Sequence, residues 1–242
     1  MITSKYQNLY PNCVFMKLQG EIITENRTET ELSASTEKIK LKPTILFGQQ
    51  YLKIGKTIVL FGIKSAELRL DCNNSILLLE TLGLTPSFSQ ILEIEIVKEK
   101  GTNQELGGSI GFKIGIDGKI TKNYKSSKKQ KQEICQVYAK GATPDKTIEV
   151  SPCWVFQVKS KQPTLLGLLK KKQLGIFRIN AKPCRIEATF NLKYKSDIHI
   201  FELRANENNI NLSSQRVMEI VTQKSIYERN TGLLSFAEVS YE

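Results

Sequence analysis

Ser109, Asp197 and His199 are the residues of this chain whose types and order come nearest to catalytic machinery. Gly107-Gly108-Ser109-Ile110-Gly111 matches G-x-S-x-G, and Asp145 or Asp197 ahead of His199 completes the order Ser, Asp, His. Such a serine works because a strand turns sharply at it into a helix whose N-terminus helps to hold an oxyanion. Here Ser109 opens an alternating, strand-like run, and the repeated βα pattern of the hydrolase fold is missing. A glycine-rich strand entry is therefore expected, not a triad.

Gly55-Lys56-Thr57 matches the end of a phosphate loop. However, Gln50 stands where the motif needs its first glycine, and the triplet leads into a strand pattern instead of a helix. His199 is the only histidine, which rules out a two-histidine acid–base pair and any His-rich metal site. Cys13, Cys72, Cys135, Cys153 and Cys184 contain no C-x-x-C pair, so no zinc knuckle or thioredoxin-type motif is predicted. They are expected as small hydrophobic residues in a reducing compartment. A metal-independent nuclease could use Lys, Tyr and Arg, but no spacing singles out such a set. The expectation is a non-enzymatic protein without cofactor or metal.

Charge carries more. The net charge is +11, and residues 101–200 hold 19 Lys/Arg against 7 Asp/Glu, whereas the rest of the chain is close to neutral. A mere compositional bias toward lysine would spread evenly. Lys122, Lys125, Lys128, Lys129 and Lys131 form one cluster, and Lys170, Lys171 and Lys172, with Arg178, Lys182 and Arg185, form a second. Tyr124, Tyr138, Trp154 and Phe177 lie nearby in sequence. Lysines and exposed aromatics on a β surface suit phosphate contacts and base stacking, so the region 113–185 is predicted to contact a polyanion, nucleic acid first. Lysine is a point charge without the planar fork of arginine, so any base selectivity is expected to be weak. The alternative is an interaction module for an acidic protein partner. A further one is a membrane-active protein, built on an amphipathic hairpin and the Leu165-Leu166-Gly167-Leu168-Leu169 run ahead of three lysines.

These side chains must be positioned by strands. Short apolar or alternating runs punctuated by turn residues occupy 13–18, 44–47, 57–63, 66–70, 76–80, 91–97, 134–139, 154–159, 184–194, 198–203 and 233–241. Residues 109–124 read as a hairpin whose register keeps one apolar face if Gly118 closes a bulged three-residue loop. Residues 25–38 read as a surface loop, and 163–175 as one or two helical turns ending at Gly175. One helix is predicted over about 214–229, capped by Ser213 or Ser214 and stopped by Asn230 and Gly232. Val217, Ile220, Val221, the stem of Lys224 and Tyr227 fall on one side of it. The expected fold is all-β or mainly β, an antiparallel sandwich or barrel-like arrangement with one C-terminal α-helix. It is expected as a single domain over 1–242, or two subdomains dividing near 98–107. With no stretch long enough to span a membrane and a polar start, the chain is expected to be cytoplasmic.

Overall fold

Lys38-Ile39-Lys40-Leu41-Lys42 alternates cation and aliphatic residue, which in a strand sends every lysine to one face and every aliphatic to the other. This segment lies at the start of an 11-residue strand paired along its full length. The computed structural model describes residues 1–24, 37–84, 135–140, 152–158, 162–204 and 212–242. The first seven strands are β1 (Ile2–Asn8), β2 (Val14–Thr24), β3 (Glu37–Phe47), β4 (Gln50–Ile54), β5 (Thr57–Ile63), β6 (Ser65–Asn73) and β7 (Ser75–Leu77). Then come β8 (Cys135–Lys140), β9 (Cys153–Val158), β10 (Gly167–Lys170), β11 (Gly175–Ile179), β12 (Cys184–Asn191) and β13 (Ile198–Arg204). Helix α1 (Leu212–Arg229) and β14 (Leu233–Tyr241) complete the order.

The architecture is mainly β and sandwich-like, with antiparallel sheets and a C-terminal helix, as the pattern predicts. A six-stranded sheet runs β1-β14-β12-β6-β9-β8, and a three-stranded sheet runs β13-β5-β4. In the remaining five-stranded sheet, β2 pairs along all of β3 on one side. On the other side β10 takes one half of β3, β11 takes the other half, and β7 lies beyond β11. The inner faces of the six- and five-stranded sheets meet through Phe47, Phe156 and Phe190, three rings with centroids 5.4–5.6 Å apart. Near the other end the sheets approach so closely that a Cβ on Gly20 would lie 2.8 Å from Val239 Cγ1.

β10 and β11 form one lane with an interruption. Lys170 pairs with Thr44 and Gly175 with Leu41, so residues 171–174 face only Lys42 and Pro43. Pro43 accounts for the break. The Leu41 carbonyl accepts from Leu174 N–H at 2.9 Å, so backbone groups at Leu41 point toward this lane, as do those two residues on at Pro43. Proline has no N–H to offer there, and the chain bulges away at the position where the ladder lacks a donor.

Several sequence expectations need correction. Residues 163–175 form no helical turn: they contain β10 and most of the excursion, because the leucine run is buried in the sheet lane and pairs with β3. Of the expected loop 25–38, Glu37 and Lys38 belong to β3, while 25–36 lie outside the described residues. β1, β4 and β11 were not foreseen, since they lack a clean apolar alternation. The helix ends as expected, with Gly232 N–H donating to Tyr227 O at 2.8 Å. Its orientation differs from what its apolar residues suggest: Val217, Ile220 and Val221 are exposed, while Thr222 and Ile226 are buried. Polar contacts fix that orientation, with Gln223 Nε2 donating to Ile198 O at 2.9 Å and Tyr227 Oη to Lys193 O at 3.4 Å. The predicted strand 91–97, the hairpin 109–124 and the alternative domain division near 98–107 lie outside the described residues.

Candidate polyanion-binding face

The five-stranded sheet turns Ile39, Leu41, Ile45 and Phe47 of β3 into the core and Lys38, Lys40 and Lys42 outward. Register carries the charge sideways. Lys17 of β2 pairs with Thr44, which on its other side pairs with Lys170 of β10. Arg178 of β11 lies opposite Lys38. The outward-facing described residues of this sheet therefore hold Lys17, Lys38, Lys40, Lys42, Lys170 and Arg178 against one carboxylate, Glu21. Glu21 bonds Lys42 Nζ at 2.5 Å, a contact that holds its carboxyl below the usual range. Among the described residues no carboxylate pairs with Lys17, Lys40, Lys170 or Arg178.

The excursion that interrupts this lane carries Lys171 and Lys172, both exposed and without a carboxylate partner among the described residues. It is pinned from several directions. Gly83 N–H donates to Leu174 O at 2.8 Å, and Gln173 Nε2 donates to Thr81 O at 3.3 Å. Ile176 N–H donates to Thr81 Oγ1 at 2.8 Å, just beyond it. The buried Trp154 then donates Nε1–H to Gly83 O at 2.8 Å, tying the arrangement to the core. Lys171 adopts φ +49°, a left-handed conformation uncommon for lysine that these contacts must sustain.

Of the residues singled out in the sequence, Lys170 and Arg178 thus share one face, and Lys171 and Lys172 lie on the excursion between their strands. Lys182 and Arg185 stand apart. Lys182 Nζ contacts Glu37 at 2.8 Å and Tyr241 Oη at 3.0 Å, and lies over the Tyr241 ring at 4.3 Å. Arg185 projects from β12 on the opposite outer surface of the sandwich, where one nitrogen meets Glu187 at 2.6 Å and Glu238 at 2.8 Å. Those two carboxylates are directly paired across β12 and β14, an unfavourable arrangement that the guanidinium relieves. The Glu238 carboxyl sits below its usual range through the Ser240 hydroxyl and through Arg185. Arg185→Ala should lower unfolding stability by about 1–2 kcal/mol in urea titrations. Adding Glu238→Gln should recover part of that loss; strictly additive losses would show that the arginine does not bridge the pair.

Lys122, Lys125, Lys128, Lys129 and Lys131 lie outside the described residues, as do Tyr124, Ser109 and Asp145. Trp154 and Phe177, considered above as stacking partners, are fully buried core residues. Asp197 accepts the Tyr194 backbone N–H at 2.9 Å and closes the 3-10 turn Lys195–Asp197, while His199 meets Phe201 edge-on at 4.6 Å. Burial, then the nearby Lys64, lowers the His199 pKa and keeps its imidazole neutral at pH 7. Gly55, with φ +59°, makes the β4–β5 hairpin turn that its sequence neighbours resembled as a phosphate loop. Burial pushes the Cys13 thiol up to about 12, which leaves it protonated and unreactive. Among the described residues no three of His, Cys, Asp and Glu gather as a metal site requires, and no helix is long and apolar enough to cross a membrane.

Sequence clustering missed Lys17, Lys40 and Lys42. Lys40 and Lys42 left a periodic signal, not a dense one, following Lys38 at two-residue spacing and interleaved with Ile39 and Leu41; Lys17 left no such pattern. No model of a known protein family matches the chain, and no curated protein is similar to it in sequence.

Proposed function

We propose that the protein binds a polyanion, nucleic acid foremost, on the outer face of its five-stranded sheet, without catalysing a reaction on it. The observation that carries this reading is the row Lys17–Thr44–Lys170, continued along β3 by Lys42 and Lys40 and faced, among the described residues, by one carboxylate. On a strand, outward side chains recur about every 7 Å, so the cations form a regular two-dimensional array. Lysine dominates it, which suits phosphate contacts without base reading. Lys122 to Lys131 are not required for this reading.

Binding measured against salt concentration tests it. Neutralising roughly five phosphates gives a logarithmic slope of about −3.5 to −4.5. Replacing Lys40, Lys170, Lys171 and Lys172 with Gln should flatten the slope by about 3. Lys182→Gln, which removes a cation already engaged by Glu37, should leave it unchanged. An equal effect of Lys182→Gln would refute the assignment to this face.

A further inference from the structure

The cationic row has an apolar neighbour. One step toward the β10 start of the sheet, Phe15 pairs with Leu46 and Leu46 with Leu168, all facing outward. Tyr6 of β1 closes this row. Its ring is 5.7 Å from that of Phe15 at 71°, and Lys17 Nζ lies 5.9 Å from its centroid. Leu46 is only 5% exposed, whereas Tyr6 is 45% exposed. Of this row, Tyr6 is the side chain that stands open to solvent, Phe15 and Leu168 being half-buried and Leu46 covered.

We infer that this face takes single-stranded nucleic acid, one base stacking at the Tyr6–Phe15 corner and the adjoining phosphates meeting Lys17 and Lys170. This inference rests on the polyanion reading above and names its ligand. The two rows are about 7 Å apart, comparable to the distance from a nucleobase to the phosphate of its own nucleotide. Stacking on an aromatic needs an unpaired base, which a duplex keeps inside its own stack. Among the described residues of this face, no helix or ribbon stands out that could enter a groove. A lipid surface fits less well, because Leu46 is covered and the exposed side chain of the row is a lone tyrosine, too little apolar surface to insert. The same geometry accounts for weak selectivity, since every base has a face to stack.

Anisotropy titrations at one salt concentration test this with a 20-nucleotide oligothymidine, a 20-base-pair duplex, inorganic polyphosphate and phosphatidylserine vesicles. The single strand should bind at least tenfold more tightly than the duplex. Tyr6→Ala should weaken oligothymidine binding about 5- to 100-fold, with the salt slope and polyphosphate binding unchanged, and Tyr6→Phe should restore it. Tyr6 lies on an edge strand and is exposed, so an unaltered melting curve is the control for folding. Oligothymidine binding indifferent to Tyr6→Ala, or tighter binding to duplex or to vesicles, overturns the inference but leaves a polyanion-binding face. Failure to bind any of the four probes overturns both readings.

Discussion

Gly83→Ala should destabilise the folded protein by about 3–5 kcal/mol, the larger part of it through atoms other than the added methyl. A Cβ at Gly83 would lie 1.9 Å from the carbonyl oxygen of Gln173, a backbone atom that no rotamer change can move aside. Either the turn that ends at Gly83 or the excursion 171–174 must give way. Displacement endangers two hydrogen bonds at once: Gly83 N–H to Leu174 O and Trp154 Nε1–H to Gly83 O, both 2.8 Å. The second matters more, because an indole N–H stranded in the core costs about 1–3 kcal/mol. Thermal unfolding should register a fall on the order of 10 °C for a chain of this length. Trp154→Phe, which removes the donor and part of the ring volume but strands no buried N–H, should cost less than Gly83→Ala. A melting temperature unchanged in Gly83→Ala would mean that the two segments are not held together as described.

Phe156→Ala is expected to cost about 3–5 kcal/mol by urea denaturation, since it empties the position where both large sheets meet. Its ring contacts Phe47 from the opposite sheet at 5.5 Å and Phe190 from its own at 5.4 Å, and all three are fully buried. Phe156→Leu should cost less, about 1–1.5 kcal/mol, because most of the volume remains. Val217→Ala on α1 provides the contrast and should fall within about 0.5 kcal/mol, the side chain being 60% exposed. Comparable losses at Val217 and Phe156 would contradict the orientation of the helix.

That contrast shows which parts of the fold were legible beforehand. Residues 184–194 alternate strictly; 184–191 became β12 at the centre of the six-stranded sheet with Ile186, Ala188 and Phe190 inward, while Tyr194, also expected inward, lies beyond the strand end and is exposed. Period-two alternation is a local property that tertiary context seldom overrides when one face must be buried. The side of α1 was a different problem. Val217, Ile220 and Val221 make the more apolar stripe, yet the helix rests on Thr222 and Ile226 because Gln223 and Tyr227 find backbone acceptors at Ile198 and Lys193. Hydrogen bonds to distant carbonyls leave no mark in a local window.

The basic face was half legible. Lys170 to Lys172 stand out by density, but Lys40 and Lys42 sit in a stretch of the chain where nearby acids cancel them on paper. Linear charge counts average over both faces of a strand, whereas folding separates them. Pro43 added to the difficulty, because proline reads as the limit of a strand and so masked the pattern on its N-terminal side. Density along the chain also linked Lys182 and Arg185 to the cluster, although they are neutralised locally and, for Arg185, displayed on the other side of the sandwich.

Pro43 and the detour at 171–174 record one interruption twice, in segments far apart along the chain. Straightening the detour by removing two lysines would still leave the neighbouring strand with nothing to donate, and replacing the proline would place an amide opposite the detour instead of a paired strand. The two changes become compatible only when made together. A pair of surface cations is thereby protected by a constraint on the sheet beneath them, so their place in the array depends as much on an imino acid as on their own charge.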